Sequence, residues 1–570
     1  MTGRKKIPIG IEDFAEIINR NCYFVDKTLM IRDILDSGAK VTLFTRPRRF
    51  GKTLNMSMLQ RFFEKTNNDN SYLFKGLNIT GAGEQYLAHM GQYPVISIFL
   101  KGMKQPDFEI VYATYKDIIK DEFSRHKATV YKANVLDNEE MARYTSFLDI
   151  DAEYSEYNKA IGFLAKCLCK AYNKNVIILI DEYDVPLENS YFRGFYDKMI
   201  DLLRSVFESA LKTNPSLEFA VLTGCLRISK ESIFTGLNNL KVYSIRSEQF
   251  GEYFGFTKNE VAMLAKYYNV EEKLPVIKEW YDGYLFGATE IYNPWSVLNY
   301  ILSISVCINA IQEPYWSNTS SNSIIYKLIR ESSEETRGMV EELMNGGSVT
   351  VPIYEDTVYA DIDVNSDHIW SFLLFTGYLK QINAELHDDM IYLTLVIPNI
   401  EVKSIYRRTI LQWFKEKTVA DSREELFNAL INEDIETIED TICDWLDETI
   451  SFHDEQENYY QGFLTGLLSG FKGYTLKSNR ESGDGRLGLM LLERRKHKLA
   501  VIIEIKATKE FTKLDYWCDE ALKQIEENRY ETELINDGYQ NIIKYGIAFC
   551  KKSCMVKKDN RRIQLYDLHL

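Results

Sequence analysis

The sequence predicts an α/β chain, with a parallel-sheet domain in its first half, helical segments in the middle and a smaller α/β domain over residues 451–570. Three stretches carry that reading. KVTLFTRPRRFGKT (40–53) runs an apolar strand into a turn that ends in Gly-Lys-Thr. NVIILIDEYD (175–184) is an apolar run that emerges in acids. KLAVIIEIKA (498–507) is a buried-strand pattern carrying a carboxylate and an ammonium two residues apart.

Composition bounds the class. The 570 residues are 45% hydrophobic and 26% charged, as in a globular chain too long for one core. A formal charge of −15 argues against general coating of polyanions but leaves room for a local basic groove, because phosphates respond to nearby charge. No stretch approaches the roughly 20 apolar residues that span a bilayer. MTGRKKIPIGIEDF has no apolar run of signal-peptide length. Nine cysteines without a framework spacing suit free thiols in a reducing compartment, so a cytoplasmic protein with no membrane partner is the expectation. Cys167-Leu-Cys169 and Cys550–Cys554 lack a nearby histidine and the usual zinc spacings.

After Thr53, Leu54, Met58, Leu59 and Phe62 fall at helical spacing. Strand, glycine turn, Lys-Thr and helix form the context of a phosphate-binding loop. Backbone N–H groups hold phosphate oxygens, Lys52 reaches the β- and γ-phosphates, and Thr53 supplies an oxygen to Mg²⁺. The loop's usual first glycine, five positions before Gly51, is Arg46. Asp181 and Glu182 fit the second half of such a site, the first positioning Mg²⁺ and the second polarising the attacking water. LEFAVLTG (217–224) reads as a further strand ending in Thr223, where a γ-phosphate is sensed. ATP and Mg²⁺ are the expected cofactors. On charge alone, Arg46, Arg48, Arg49 and Lys52 suit a nucleic-acid patch, a solvated loop or the mouth of this phosphate site.

IPIGIEDFAEII, YFVDKT, RPRRFGKT, IDEYDVP, TGCLRISKESIFTGLNNL and WYDGYLFGATEIYNPWSVLNYI together resemble the AAA-ATPase-like family, found in bacteria joined to a PD-(D/E)xK nuclease-like domain. The resemblance implies an AAA-type P-loop core over 1–240, a helical lid over 241–320, a mostly helical connector over 321–450, and a restriction-endonuclease-like α/β domain over 451–570. It also implies that Arg46 is the family's own version of the loop. Arg46, Arg48 and Arg49 are then expected to flank ATP, with Phe50, Gly51, Lys52, Thr53 and Leu54 completing the loop. Guanidinium forks compensate for a glycine-poor backbone. Arg227, four residues past Thr223, is the candidate to act on the γ-phosphate in cis or from a neighbouring subunit, the second case implying a homo-oligomer. Tyr281, Asp282 and Tyr284 are placed to close over the nucleotide.

In the middle, IYLTLVIP reads as a strand and SDHIWSFLLFTGYL as an amphipathic helix packed on the lid. A winged-helix connector and a scaffold without base readout both suit this region. His368 and His387 are too far apart to suggest a ligand pair.

In the last domain, ENYYQGFLTGLLSG (457–470) reads as a helix burying Phe463, Leu464, Leu467 and Leu468. RLGLMLLE and KLAVIIEIKA read as strands joined by RRKHK, with Glu504 and Lys506 on one face. Such charges on a buried strand are costly unless they pair or bind a metal. This Glu-Ile-Lys resembles the PD-(D/E)xK core. The resemblance implies metal-assisted phosphodiester hydrolysis, with Glu504 and Glu457 as Mg²⁺ ligands, Lys506 orienting water, and Gln524 of ALKQIEENRY on the matching helix. The acid expected after Gly-Arg is replaced by Gly488 in GRLG. With RRKHK as the turn, Glu493 faces Leu499 and Gly488 faces Glu504. Asp484, another candidate ligand, then lies opposite Thr508, roughly 13 Å along the strand from the needed point, unless the chain bends at Gly483–Gly485. Weak or absent cleavage with Mg²⁺ is expected, and Gly488→Asp is expected to raise it, provided that Lys506 is intact and the strand tolerates a side chain there. Arg480, Arg486, Arg494, Arg495, Lys496 and the tail KKSCMVKKDNRR suit contacts to nucleic acid, DNA foremost, whether the domain cuts or only binds. A place in bacterial defence or mobile-element biology rests on family analogy alone.

Overall fold

The computed structural model describes residues 4–559 apart from 228–232, 235–238, 317–333, 357–358, 360–366, 389, 418–419, 450–456, 469–470, 472, 479–480, 483–484, 487, 495–498, 529 and 540. The chain forms two compact units, Met1–Ser321 with Gly346–Ser404, and Asn322–Asn345 with Ile405–Leu570.

The first unit is built on five parallel strands: β1 (Val41–Thr45), β2 (Val95–Phe99), β3 (Val176–Asp181), β4 (Leu217–Gly224) and β5 (Leu240–Tyr243), in the order β2-β3-β4-β1-β5. Every residue of β1 and β3 is buried, which is why both read as unbroken apolar runs. The register aligns their carboxyl ends: Thr45 pairs with Gly224, Phe44 with Thr223, and Phe99 with Asp181. Ligands of open α/β sheets bind outside such ends. The Lys52–Phe63 helix follows β1 and buries Met58, Leu59 and Phe62.

Beyond the sheet, β6 (Phe256–Thr257), β7 (Tyr284–Phe286) and β8 (Thr289–Tyr292) form a small antiparallel sheet. The helices Lys258–Tyr268, Leu274–Tyr281 and Pro294–Val306 enclose a core containing Leu264, Ile277, Tyr281 and Tyr300. The region expected to form a lid thus has helices around a short sheet. Residues 346–404 add a further sheet of β9 (Val349–Pro352), β10 (Lys380–His387) and β11 (Met390–Val396), in the order β10-β11-β9. The expected single connector over 321–450 is thus divided: 346–404 belongs to the first unit and the flanking residues to the second. The His368–Phe375 helix, expected to be amphipathic, has Ile369 to Phe375 all buried, the pattern of a helix enclosed on every side.

The second unit carries a mixed sheet of β12 (Tyr474–Ser478), β15 (Leu489–Glu493), β16 (Leu499–Ala507), β17 (Asn541–Cys550) and β18 (Ser553–Lys558), in that order. Between β12 and β15 lies a two-residue ladder, β13 (Glu481–Ser482) with β14 (Gly485–Arg486). Leu489 faces Ile503 and Leu492 faces Ala500, the register that the hairpin reading predicts. The Glu457–Leu468 helix buries Phe463, Leu464, Leu467 and Leu468, as expected. The Leu514–Glu527 helix buries Leu514, Cys518, Ala521 and Ile525.

Candidate functional site

At the carboxyl end of β1 the chain turns through two left-handed residues, Arg49 (φ 69°) and Gly51 (φ 82°), before the Lys52–Phe63 helix begins. An added Cβ at Gly51 would meet nothing within 4 Å, so it is the backbone angle that favours glycine there. Lys52 is 6% exposed, and its ammonium donates to the carbonyls of Arg46 and Pro47 at 3.0 Å each. The loop thus folds around its own lysine, 3.5 Å from Cys225 Sγ.

The acids of β3 face this turn. Asp181 accepts hydrogen bonds from the Thr223 hydroxyl and, at 3.1 Å, from the Glu182 N–H. Burial raises its pKa, opposed by the Thr223 and Thr53 hydroxyls and by Lys52. Glu182 is held at φ +54°, a left-handed conformation that non-glycine residues keep only where their surroundings enforce it. Burial also raises its pKa, opposed by Lys52 and Lys101. Asp184 accepts from the N–H groups of Cys225 and Leu226 at 2.6 and 3.0 Å, tying the chain after β4 to the acidic turn. A Cβ on Gly224 would press on the Tyr183 ring and stand 2.9 Å from Asp184 Oδ1.

A cavity of about 300 Å³ opens on this edge, lined by Arg48 to Asn55, Lys101, Lys104 and Glu182, with Ile11, Phe24, Phe256 and Trp295 among its apolar walls. The predicted loop residues part company here. Arg48 pairs with Glu188. Arg49 stacks over Trp295 at 4.6 Å. Phe50 is buried against Tyr284 and Phe286. Arg46 is fully buried and does not line the cavity. It donates to the Thr45 and Tyr243 carbonyls at 2.8 Å and lies over the Phe254 and Phe286 rings, so it joins β1 to β5 instead of flanking phosphate. Burial holds its pKa down to about 9. Thr223 is likewise fully buried and acts through Asp181 rather than on the cavity. Arg227 lies outside the lining, 2.6 Å from Asp356 and 3.5 Å from Glu355. Tyr281 and Tyr284, expected to close over the nucleotide, are buried and Asp282 is 4% exposed, so all three are packed beneath the surface.

In the second unit, Glu504 is 5% exposed and its Oε2 accepts from the Gly488 N–H at 3.2 Å. Burial pushes its pKa up to about 7, opposed by Lys506 and by the Gly488 bond. Lys506 stands 4.0 Å from Glu504 and 3.6 Å from Glu457. The Gly488 carbonyl accepts from Gln461 Nε2 at 3.1 Å. A Cβ on Gly488 would overlap the Ile503 carbonyl oxygen and stand 3.1 Å from Glu504 Cα. The condition attached to Gly488→Asp, that the strand tolerates a side chain there, is therefore not met: the strand has closed over the place of the missing acid. Gln524, half-buried on its helix, makes no hydrogen bond or ion pair with Glu504, Lys506 or Glu457 among the described residues. Asp484, Arg480, Arg495 and Lys496 lie outside the described residues. Of the remaining basic candidates, Arg494 Nε donates to Thr475 at 2.9 Å. In the tail, Lys557 pairs with Asp515 and Asp519, and Lys558 with Glu433.

Residues 8–234 match the family model "Predicted AAA-ATPase", and residues 455–559 match the PD-(D/E)XK nuclease superfamily. The chain joins an AAA-ATPase-like domain to a PD-(D/E)XK nuclease superfamily domain. It is also 27% identical over 441 residues to an uncharacterized protein in the vnfD 5′ region of Azotobacter chroococcum, covering 76% of this chain and 75% of that one. No described helix is long and apolar enough to cross a membrane.

The two domains fit a metal differently. In the AAA-ATPase-like domain, Asp181 Oδ2 is buried with no hydrogen-bond partner among the described residues, and the Thr53 hydroxyl approaches the same carboxylate. A buried carboxylate oxygen left over is what a Mg²⁺-associated cluster supplies. In the nuclease superfamily domain, the acids that meet at Lys506 among the described residues are Glu504 and Glu457, with Gly488 closed where a further acid is expected, and this set fits a metal poorly. No group of three or more His, Cys, Asp or Glu able to hold a metal occurs among the described residues. Sequence reasoning missed Asp184, Glu12, Lys101 and Trp295. Asp184, Glu12 and Trp295 each stood inside a motif already singled out, in IDEYDVP, IPIGIEDFAEII and WYDGYLFGATEIYNPWSVLNYI, and Lys101 did not.

Proposed function

We propose that the AAA-ATPase-like domain binds and hydrolyses ATP with Mg²⁺, and that nucleotide state controls a nuclease-like domain that binds nucleic acid, DNA foremost, without efficient cleavage. The observation that carries the first half is the convergence of Lys52, Thr53, Asp181 and Glu182 on one edge of the sheet. Mg²⁺ would be held by Thr53 and Asp181 and would neutralise charge on the phosphates. Lys52 exchanges two loop carbonyls for the β- and γ-phosphates. Thr223 fixes the Asp181 carboxylate. Glu182, placed by its left-handed backbone and with its pKa raised by burial, orients a water and takes its proton as the water attacks. Arg227 would have to leave Asp356 to act on a γ-phosphate, in cis or in a homo-oligomer.

The second half is supported by Gly488, since the domain retains the Glu-x-Lys strand and its basic residues but has no room beside Glu504 for a second acid. A bacterial setting rests on family analogy, and a cytoplasmic one on nine cysteines without a framework spacing. The test is calorimetry of ATP in Mg²⁺ buffer with the native chain and Lys52→Ala, alongside plasmid binding and nicking by the same preparations. ATP binding lost in Lys52→Ala, and DNA retained but uncut, are expected. No ATP affinity in the native chain refutes the first half, and efficient Mg²⁺-dependent cutting refutes the second.

A further inference from the structure

Lys101 lies in the short 3₁₀ turn Leu100–Met103, directly after β2. Because Phe99 of β2 pairs with Asp181 of β3, this turn runs beside Glu182 at the edge where the phosphate loop opens. Lys101 and Glu12 line the same cavity as Lys52, Thr53 and Glu182. The carboxylate of Glu12 is 3.3 Å from the Lys101 ammonium and 3.9 Å from the Arg49 guanidinium. All three side chains are accessible, at 50% for Lys101, 43% for Glu12 and 31% for Arg49. An anion that draws two cations across a cavity mouth, in a partly solvated setting, is held weakly. Any stronger anion entering the cavity displaces it.

We propose that Lys101 is a second phosphate-binding cation of the nucleotide site, and that Glu12 stands in for the terminal phosphate until ATP displaces it. This rests on the nucleotide reading of the cavity. Lys52 serves the loop side of the phosphates and Lys101 the β2 side, next to the water that Glu182 would orient. With the terminal phosphate of ATP on that side and the shorter chain of ADP short of it, exchange of Lys101 from Glu12 to phosphate would discriminate triphosphate from diphosphate. Glu12 and Lys101 therefore act on ATP affinity with opposite signs. Charge-assisted hydrogen bonds of this kind are worth on the order of tenfold in affinity.

The experiment is titration of the full chain and of Lys101→Ala, Glu12→Gln and the double variant with ATP, a non-hydrolysable ATP analogue and ADP, all with Mg²⁺. The expected results are on the order of tenfold weaker ATP binding in Lys101→Ala with ADP little changed, tighter ATP binding in Glu12→Gln, and loss of that gain in the double variant. Equal effects of Lys101→Ala on ATP and ADP, or an ATP affinity that Glu12→Gln leaves unchanged or lowers, overturns the proposal while leaving the nucleotide site standing. Absence of ATP binding by the unsubstituted chain overturns the nucleotide reading and this proposal with it. Both substituted residues are solvent-accessible, and matching thermal melts confirm that the variants are folded.

Discussion

Replacing Gly488 by alanine or aspartate asks whether the nuclease superfamily domain still has room for its missing acid. The first atom added lands on the Ile503 carbonyl oxygen, with Glu504 Cα at 3.1 Å and Glu504 Oε2 at 3.2 Å. Two of these three neighbours are backbone atoms, so relief requires β15 to move away from β16. Overpacking of that kind costs about 1–3 kcal/mol. Aspartate costs more than alanine, because it buries a second carboxylate beside Glu504, whose pKa burial has already pushed to about 7. Hydrogen exchange of peptides covering 489–507 in the full-length chain reads this locally. A loss of about 1–3 kcal/mol accelerates opening roughly 5- to 150-fold for Gly488→Ala, and Gly488→Asp exceeds it. Gly488→Asp should also fail to create Mg²⁺-dependent cleavage. Native protection in Gly488→Asp, together with cleavage that Glu504→Ala extinguishes, would refute the reasoning, because the strand would then accept the acid where the backbone argues that it cannot.

Glu182→Gln should keep ATP bound while slowing phosphate release by about 100-fold or more, since the amide holds a water but takes no proton; unchanged turnover in a phosphate-release assay would remove Glu182 from the reaction. Arg46→Ala should destabilise the first unit by about 2–5 kcal/mol in urea denaturation, through a buried cavity and two abandoned carbonyls, and a stable variant with selectively weakened ATP binding would return Arg46 to the phosphate site. Glu504 binds a proton in the folded state up to about pH 7, against an ordinary value of 4.5. Between these values the folded state holds more protons than the unfolded, so its contribution to stability falls as pH rises through that window. Protection of 489–507, corrected for intrinsic exchange, should decline from pH 5 to pH 8, and Glu504→Gln should flatten the decline.

The three central strands of the parallel sheet were legible because strands buried between neighbours are largely apolar, whereas the part-exposed edge strands β2 and β5 were not read. VTLFT, VIILID and LEFAVLTG declare themselves with no help from their partners, and the 488/504 register follows from placing one charged turn. Fates decided by packing were not legible. HIWSFLLF has enough polar spacing on paper for an exposed face, yet it is enclosed by other elements, including Tyr359 against Phe372. The split of residues 321–450 between two units depends on contacts far apart in sequence. The sequence located a hole at Gly488 but not its closure, which depends on where the Ile503 carbonyl lies.

The arginines of TRPRRFGKT carry the same lesson into function. On the chain they form one positive cluster, but the fold gives each charge a separate task. Arg46 is drawn under aromatic rings to join two strands, Arg48 is matched by Glu188, and Arg49 lies between Trp295 and Glu12. Lys52 alone in that stretch rests on carbonyls rather than on a carboxylate or a ring. Carbonyls hold an ammonium by dipole only, so arriving phosphates win it readily. On the proposed nucleotide reading, a loop short of glycine is served less by a crowd of guanidinium groups than by one weakly held lysine, with Lys101 across the cavity from another strand. On that same reading, the density of positive charge marks where the loop is built, and Lys52, the cation of that stretch that lines the cavity on carbonyls alone, is the one that meets the ligand.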